Sequence, residues 1–215
     1  MIIDLSTQNS VLNMYMSELR DVQVQKDSMR FRLNIERIGA LMGYEISKKF
    51  EYISTEVTTP LGIAIVPVLK EQPVIATILR AGLPLHHGML STFDKADNAF
   101  VSAYRKHHKD NTFEVHVDYL ASPSIEGKEL ILCDPMLATG TSMVLAYQAL
   151  LRHGRPKHIH VVSILSSMFG IDYVKKNLPE NTSIWTCAID DELTVQSFIV
   201  PGLGDAGDLA YGAKL

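Results

Sequence analysis

Residues 131–143 read ILCDPMLATGTSM. An apolar run stops at Asp134, a proline follows, and Thr139, Gly140, Thr141 and Ser142 come a few positions later. A carboxylate at the end of a buried strand can accept hydrogen bonds from hydroxyl groups. A hydroxyl-rich loop that opens a helix presents unpaired backbone N–H groups at the positive end of the helix dipole, which favours an anion. Gly140 permits close approach, and the hydroxyls add donors. Together these features suit a phosphorylated sugar, with Asp134 on its hydroxyls and the loop on its phosphate. Each part alone is common: Thr-Gly-Thr-Ser can simply cap a helix, and an aspartate can simply end a turn. No Gly-Lys-Ser/Thr follows, and three spaced glycines are lacking, so two familiar nucleotide-binding loops are excluded.

Three other stretches carry candidate chemistry. Arg80 with Ala81 and Gly82 follows the apolar run PVIATIL, where a guanidinium fork and backbone N–H groups could hold a diphosphate. The plain alternative is a surface arginine ending a strand. Arg105 opens RKHHKDNT, the most basic short stretch, which reads as a mobile loop joining two strands. For Lys106, His107, His108 and Lys109 a solvated loop is the simpler expectation. The tail IVPGLGDAGDLAYG holds Gly202, Gly204, Gly207 and Gly212 with Asp205 and Asp208. It is either a flexible terminus or a tight loop whose backbone reads a small planar base. His158 and His160 alternate on a strand without an evident third ligand, so no protein-ligated metal is expected.

The elements that must position these groups follow from periodicity. The first fifty residues read as helical. Val11, Leu12, Met14, Tyr15 and Leu19 form one apolar set, and Phe31, Ile35, Ile38, Met42 and Ile46 a second, with Asp27 or Ser28 as its cap. Residues 52–69 have β-branched residues and two prolines, which suits short edge strands or turns. Beyond them, strand-length runs at 73–79, 99–104, 114–120, 128–134, 158–165 and 182–189 alternate with helical segments. That alternation predicts an α/β fold with a mainly parallel sheet covered on both faces. Asp134 and Arg80 then both lie at carboxyl ends of strands, where such sheets bind ligands.

The chain has 215 residues and a formal charge of −4, so no global positive field points to nucleic acid. Its two cysteines, Cys133 and Cys187, sit in apolar runs, which suggests a reducing, cytoplasmic setting. No apolar run approaches the roughly 18–20 residues of a membrane span.

The stretch LILCDPMLATGTSM resembles the phosphoribosyl diphosphate (PRPP) motif of the type I phosphoribosyltransferases. Most members carry two adjacent acids there; the Asp-Pro-Met-Leu-Ala-Thr-Gly form resembles the uracil branch. ILRAGLPLHHGML, AYRKHH and VPGLGDAGDLAYG resemble three further segments of that branch, in order, over residues 73–212. The N-terminal third resembles it loosely. The resemblance implies one domain, 1–215, of the type I phosphoribosyltransferase fold. It has N-terminal helices over 1–52, a parallel central sheet flanked by helices, and a base-binding hood over 190–215. It implies transfer of phosphoribose from PRPP to uracil. PRPP would meet Arg80, Arg105, Asp134, Pro135, Met136, Leu137, Ala138, Thr139, Gly140, Thr141, Ser142 and Asp205. Uracil would meet Ile199, Gly204, Asp205 and Ala206, and Asp205 and Arg105 would serve catalysis.

Mg²⁺ would be held mainly through PRPP. The resemblance also implies a homodimer or larger assembly, with GTP a candidate effector, as in parts of that family. Two departures stand out. Thr141 replaces the branch's usual second glycine, and LSSMFG at 165–170 replaces a usual Ala-Pro-Glu-Gly. Alternatives are a transferase for another base and a non-catalytic nucleotide-sensing protein. The tail weighs against the first; the acidic charge and lack of a basic, aromatic-interleaved stretch weigh against an RNA-binding form of the second.

Overall fold

The computed structural model describes the backbone of residues 1–107 and 113–213, and the side chains of residues 1–102 and 118–213. The chain opens with β1 (Ile2–Asp4), α1 (Val11–Arg20) and α2 (Ser28–Ser47). There follow β2 (Tyr52–Thr59), β3 (Gly62–Leu69), β4 (Val74–Ile78), α3 (Leu83–Thr92), β5 (Asp97–His107) and β6 (Phe113–Ala121). The second half runs β7 (Glu129–Cys133), β8 (Met136–Leu137), α4 (Thr141–Leu150), β9 (His158–Ser163), β10 (Leu165–Ser167) and α5 (Met168–Asn177). It ends with β11 (Thr182–Thr186), β12 (Ile189–Asp190), β13 (Glu192–Leu193), β14 (Ile199–Val200) and α6 (Ala206–Tyr211).

Side-chain alternation along the strands builds the molecule. Ile75, Ile131, Cys133, Val162 and Trp185 point to one face and pack with Leu12, Phe31, Ile38, Leu85 and Ala206. Val74, Ala76, Leu130, Leu132, Val161 and Ile184 point to the other and pack with Met143, Val144, Ile171 and Val174. So α1, α2, α3 and α6 cover one face, and α4 and α5 the other. Both cysteines are buried free thiols, and burial pushes each thiol's pKa well up. On the first face α2 and α3 cross closely at glycine: a Cβ on Gly39 would lie 2.6 Å from Leu85 O.

The central sheet has seven strands in the order β1-β11-β9-β7-β4-β5-β6. All neighbours are parallel except β6, which runs antiparallel to β5. From β4 the chain moves outward through β5 to β6; from β7 it moves the opposite way through β9 to β11. The order therefore reverses between β4 and β7, which opens a crevice beyond their carboxyl ends. A second, three-stranded parallel sheet, β12-β10-β8, stands beyond the ends of β7 and β9.

The helical expectation for the start of the chain is corrected at its first residues. Ile2–Asp4 form a parallel edge strand beside β11, and the Met1 ammonium donates to Thr182 O at 3.0 Å. Three residues are too few to show a period, and their partner lies at the far end of the sequence. In α1, Leu12, Met16 and Leu19 are buried, while Val11 and Met14 are exposed. Ser10 and Asn13 form its capping box, and Asp27 caps α2 through Met29 N and Arg30 N. Residues 52–69 form one hairpin of two eight-residue strands instead of short pieces. Pro67 fits inside β3 because this two-stranded sheet has only edge strands. The basic stretch is also less of a loop than expected: Arg105, Lys106 and His107 continue β5, opposite Val115, Glu114 and Phe113. The side chain of Arg105 lies outside the described residues, as do His108 and Lys109 entirely.

Candidate active site

At the crevice, the end of β4 turns through Arg80, Ala81 and Gly82 into α3. Gly82 has no room for a side chain: a Cβ would collide with Thr77 Oγ1 and come within 2.7 Å of Ile78 O and 3.0 Å of Cys133 O. This glycine thus lets the turn sit against the end of β7, beside Asp134. The Leu79–Arg80 peptide entering the turn is cis. Arg80 reaches toward the C-terminal tail, with Nη2 3.7 Å from Asp208 Oδ1 and 3.4 Å from Gly212 O. Its Nε is buried without a hydrogen-bond partner among the described residues.

Asp134 follows β7, with its backbone N–H donating to Val162 O at 3.1 Å. Its carboxyl keeps part of its surface open to solvent but lies deep among protein atoms. Burial pushes its pKa up to about 7; the backbone N–H of Met136 pulls it down, and the charge of Asp205 adds to the rise.

Pro135, Met136, Leu137 and Ala138 are strand and connector more than open loop. Pro135 O accepts from Ile164 N at 3.1 Å and Leu165 N at 3.0 Å, and Leu137 is buried in the core. Gly140 then turns the chain at φ +76° and stands at the start of α4 with no side-chain cap. Beyond Thr141, the first amides of α4 are open to a ligand or solvent. Thr139 Oγ1 lies 3.2 Å from Thr141 Oγ1, and the Thr141 N–H lies 3.4 Å from the same Thr139 oxygen. Ser142 is exposed beside them.

The tail closes the opposite side. Ile199 is buried in β14, Gly204 is exposed at φ +94°, and Ala206 is buried at the start of α6. Asp205 is exposed and caps α6 by accepting from Asp208 N at 2.9 Å. A Cβ on Gly207 would lie 3.9 Å from Ala81 Cβ and 3.2 Å from Asp205 Oδ1, so α6 starts against the β4–α3 turn. The structure thus brings Arg80, Asp134, the residues 139–142 and Asp205 to one crevice. It sets Leu137 and Ile199 in the interior, where only their backbone can reach outward.

Residues outside the four motifs hold these loops. Ser167 Oγ donates to Ala138 O at 2.6 Å and caps α5 by accepting from Gly170 N at 2.9 Å. Ser163 Oγ donates to Leu165 O at 2.9 Å. Gly170 has no room for a Cβ, which would stand 2.5 Å from Ala138 O and 2.6 Å from Leu137 O. The departure LSSMFG is thus the wall behind the loop at 138–142, supplied by β10 and α5. On the other side Arg20, Gln25 and Asp190 hold the tail. Ser167 and Gly170 fall in LSSMFG, the segment that departs from the resembled pattern, whereas Arg20, Gln25 and Asp190 carry no signal in the sequence.

Two cavities, of about 430 and 350 Å³, lie away from this crevice. The first runs under α1 and α2 beside β1; the second lies at the amino ends of β7, β9 and β11. In the second, Trp185 Nε1 donates to His160 Nδ1 at 3.1 Å, and His160 Nε2 meets Glu129 Oε2 at 3.1 Å. His158 and His160 thus serve a structural network on the far side of the sheet. The reversal of strand order, not cavity volume, marks the candidate site.

Comparison with known proteins gives the family and the fold. The family model described as uracil phosphoribosyltransferase matches residues 6–213. A uracil phosphoribosyltransferase of Porphyromonas gingivalis is 56% identical over 214 residues, covering 100% of this chain and 99% of the relative. One from Pyrobaculum arsenaticum is 41% identical over 199 residues, covering 91% and 92%. Among solved structures, the AQ2163 protein of Aquifex aeolicus superposes with a TM-score of 0.86 at 27% identity, covering 100% of both chains. The orotate phosphoribosyltransferase of Mycobacterium tuberculosis in complex with PRPP shares the fold, with a TM-score of 0.51 at 12% identity over 87% of this chain and 94% of that one. With nearly its whole length matched by the family model and by full-length relatives, the chain belongs to the uracil phosphoribosyltransferase family.

Proposed function

We propose that the chain transfers the 5-phosphoribosyl group of PRPP to uracil, giving UMP and diphosphate. The observation that supports this most directly is the meeting, at the β4–β7 reversal, of an arginine turn, a strand-end acid, a hydroxyl-rich helix start and the glycine-rich tail.

The parts divide the substrate between them. The amides and hydroxyls at the start of α4 take the 5′-phosphate. Asp134, in its charged form, accepts from the ribose hydroxyls. Arg80 exchanges Asp208 and Gly212 O for the diphosphate, and Arg105 joins it on the strength of the resemblance. Backbone groups at Ile199, Gly204, Asp205 and Ala206 read the carbonyl and imide edge of uracil. Cytosine reverses part of that pattern, and a site left with its own groups unpaired discriminates by roughly 10⁴–10⁵. The reaction breaks the bond from the ribose anomeric carbon to diphosphate and forms one to a uracil nitrogen. Little acid–base chemistry is required, so positioning and stabilisation of the leaving diphosphate carry the rate. The charges of Asp134 and Asp205 lie near the sugar, where positive charge develops.

No group of three or more metal-ligating side chains stands together among the described residues. The two crevice acids fit Mg²⁺ carried on diphosphate oxygens and water, not a protein cage. When bound, it supplies neutralisation of the leaving group.

We propose a homo-oligomer as well. The β2–β3 hairpin exposes Leu61 (99%), Ile63 (70%) and Ile65 (63%), a large apolar display for a monomer. GTP as effector rests on the resemblance alone. The described residues contain no helix long and apolar enough to cross a membrane, and the two free thiols support a cytoplasmic setting. The deciding assay is UMP formation from labelled uracil, PRPP and Mg²⁺, with a panel of other bases beside it. Conversion of another base in preference to uracil overturns the specificity, and conversion of none overturns the reaction.

A further inference from the structure

The tail is held by residues from the opposite end of the chain. Arg20 ends α1 and Asp190 ends β12. The guanidinium donates through Nη1 and Nη2 to both Asp190 oxygens, at 2.7 and 2.9 Å. The same pair takes both polar atoms of Gly202: Asp190 Oδ2 accepts from Gly202 N at 2.9 Å, and Arg20 Nη1 donates to Gly202 O at 3.1 Å. Gly202 sits at φ +61°, where only glycine is comfortable, and a Cβ there would collide with Ile199 O. The next carbonyl, Leu203 O, accepts from Gln25 Nε2 at 3.2 Å, and that amide also donates to Leu19 O at 2.8 Å. Gly204 and Asp205 follow directly.

A pair with one buried acid contributes little net stability over an apolar replacement, because desolvation offsets much of the attraction. What it does supply is direction, since a planar fork on a carboxylate fixes angle as well as distance. Here the fork, the carboxylate and the N–H and C=O of one residue, Gly202, form a closed ring, and Gln25 fixes the carbonyl of the residue that follows. We infer that Arg20 and Gln25 are positioning residues for base recognition, setting the backbone of 202–203 so that Gly204, Asp205 and Ala206 meet the base in register. This rests on the assignment of uracil to residues 199 and 204–206.

The test uses the full chain. KM for uracil, KM for PRPP, kcat, the uracil-to-cytosine ratio and thermal unfolding are measured for Arg20→Met, Arg20→Lys, Gln25→Met and, as a control on the base loop itself, Gly204→Ala. Misplacement of a reading loop by about an ångström costs roughly ten- to a hundredfold in kcat/KM. Arg20→Met is expected to raise KM for uracil about tenfold and lower the uracil-to-cytosine ratio, with KM for PRPP within about twofold. Arg20→Lys should fall between it and the parent, since lysine keeps the charge but not the fork. If the two KM values move together in step with lost thermal stability, the role is structural only and the inference fails. It also fails if Gly204→Ala raises KM for uracil while Arg20→Met and Gln25→Met do not. If none of these variants changes KM for uracil, the base-site assignment itself is wrong. Should Arg20→Met not fold, Gln25→Met decides by the same criteria.

Discussion

The loop at 134–142 and the tail at 199–206 face the same crevice but hang on different supports. The loop continues β7 directly and is backed by backbone pairing, β8 against β10 and Pro135 O against Ile164 N and Leu165 N. Its conformation is set by strand pairing and by two glycines, Gly140 and Gly170. The tail belongs to no large sheet; β14 pairs only with β13, through two residues. It is held by side chains, Arg20, Gln25 and Asp190, and by Arg32 Nη1 donating to Ala210 O at 2.6 Å. The loop rests mainly on backbone pairing, with Ser167 Oγ on Ala138 O; the tail is suspended from side chains, which leaves it open to adjustment by substitution.

The largest expected loss is on the loop side. Asp134→Asn should lower kcat/KM for PRPP by roughly a hundredfold while leaving the fold intact, and steady-state kinetics with circular dichroism would check both parts. Unchanged PRPP kinetics would move the sugar contact elsewhere. The same residue predicts a pH effect. Its pKa in the folded empty enzyme is about 7 against an ordinary 3.8, so folding favours the protonated form. That contribution is complete below the unfolded value and is lost as pH rises through about 7. Thermal unfolding of the empty enzyme should therefore decline over that window, and less so in Asp134→Asn. The kcat/KM for PRPP should rise over the same window as the accepting carboxylate forms.

Gly140→Ala comes next. A residue with a side chain at φ +76°, its Cβ 2.8 Å from Gly170 O, should cost about 1–2 kcal/mol in backbone strain alone, read by denaturant unfolding, with weaker PRPP binding. Ser167→Ala should cost about 1–3 kcal/mol, because it leaves the Ala138 carbonyl without its hydroxyl donor. Its effect should fall on PRPP and not on uracil, the reverse of Arg20→Met. The smallest change is expected at Asp208→Asn. The Arg80–Asp208 pair is long and exposed, so stability should shift by less than about 1 kcal/mol. PRPP affinity should hold or improve as Arg80 is released. A marked loss would show that Asp208 does more than hold the arginine.

Much of the loop was legible beforehand because its causes are local. An apolar run, an acid, a glycine and hydroxyls lie within thirteen residues, and helix starts and strand ends follow short-range rules. The helices capped by Ser10 and Asp27 were legible for the same reason. What the motifs left out were β1, whose three residues gain meaning only beside β11, and the full β2–β3 hairpin, whose long exposed strands obey no burial pattern. The extent of β5 was missed because a basic stretch can pair as a strand as readily as it can loop.

By itself the sequence determined the alternation of strands and helices, the strand-end placement of Arg80 and Asp134, and the family of the loop and tail. Each is written in residues close enough to constrain one another through backbone geometry. Only the tertiary structure decided that strand order reverses between β4 and β7 and that Ser167 and Gly170 back the loop at 138–142. It alone decided that Arg20 reaches Asp190 and Gly202 across the length of the chain. Those relations depend on side chains meeting after the sheet has assembled, and no local period or spacing records such a meeting.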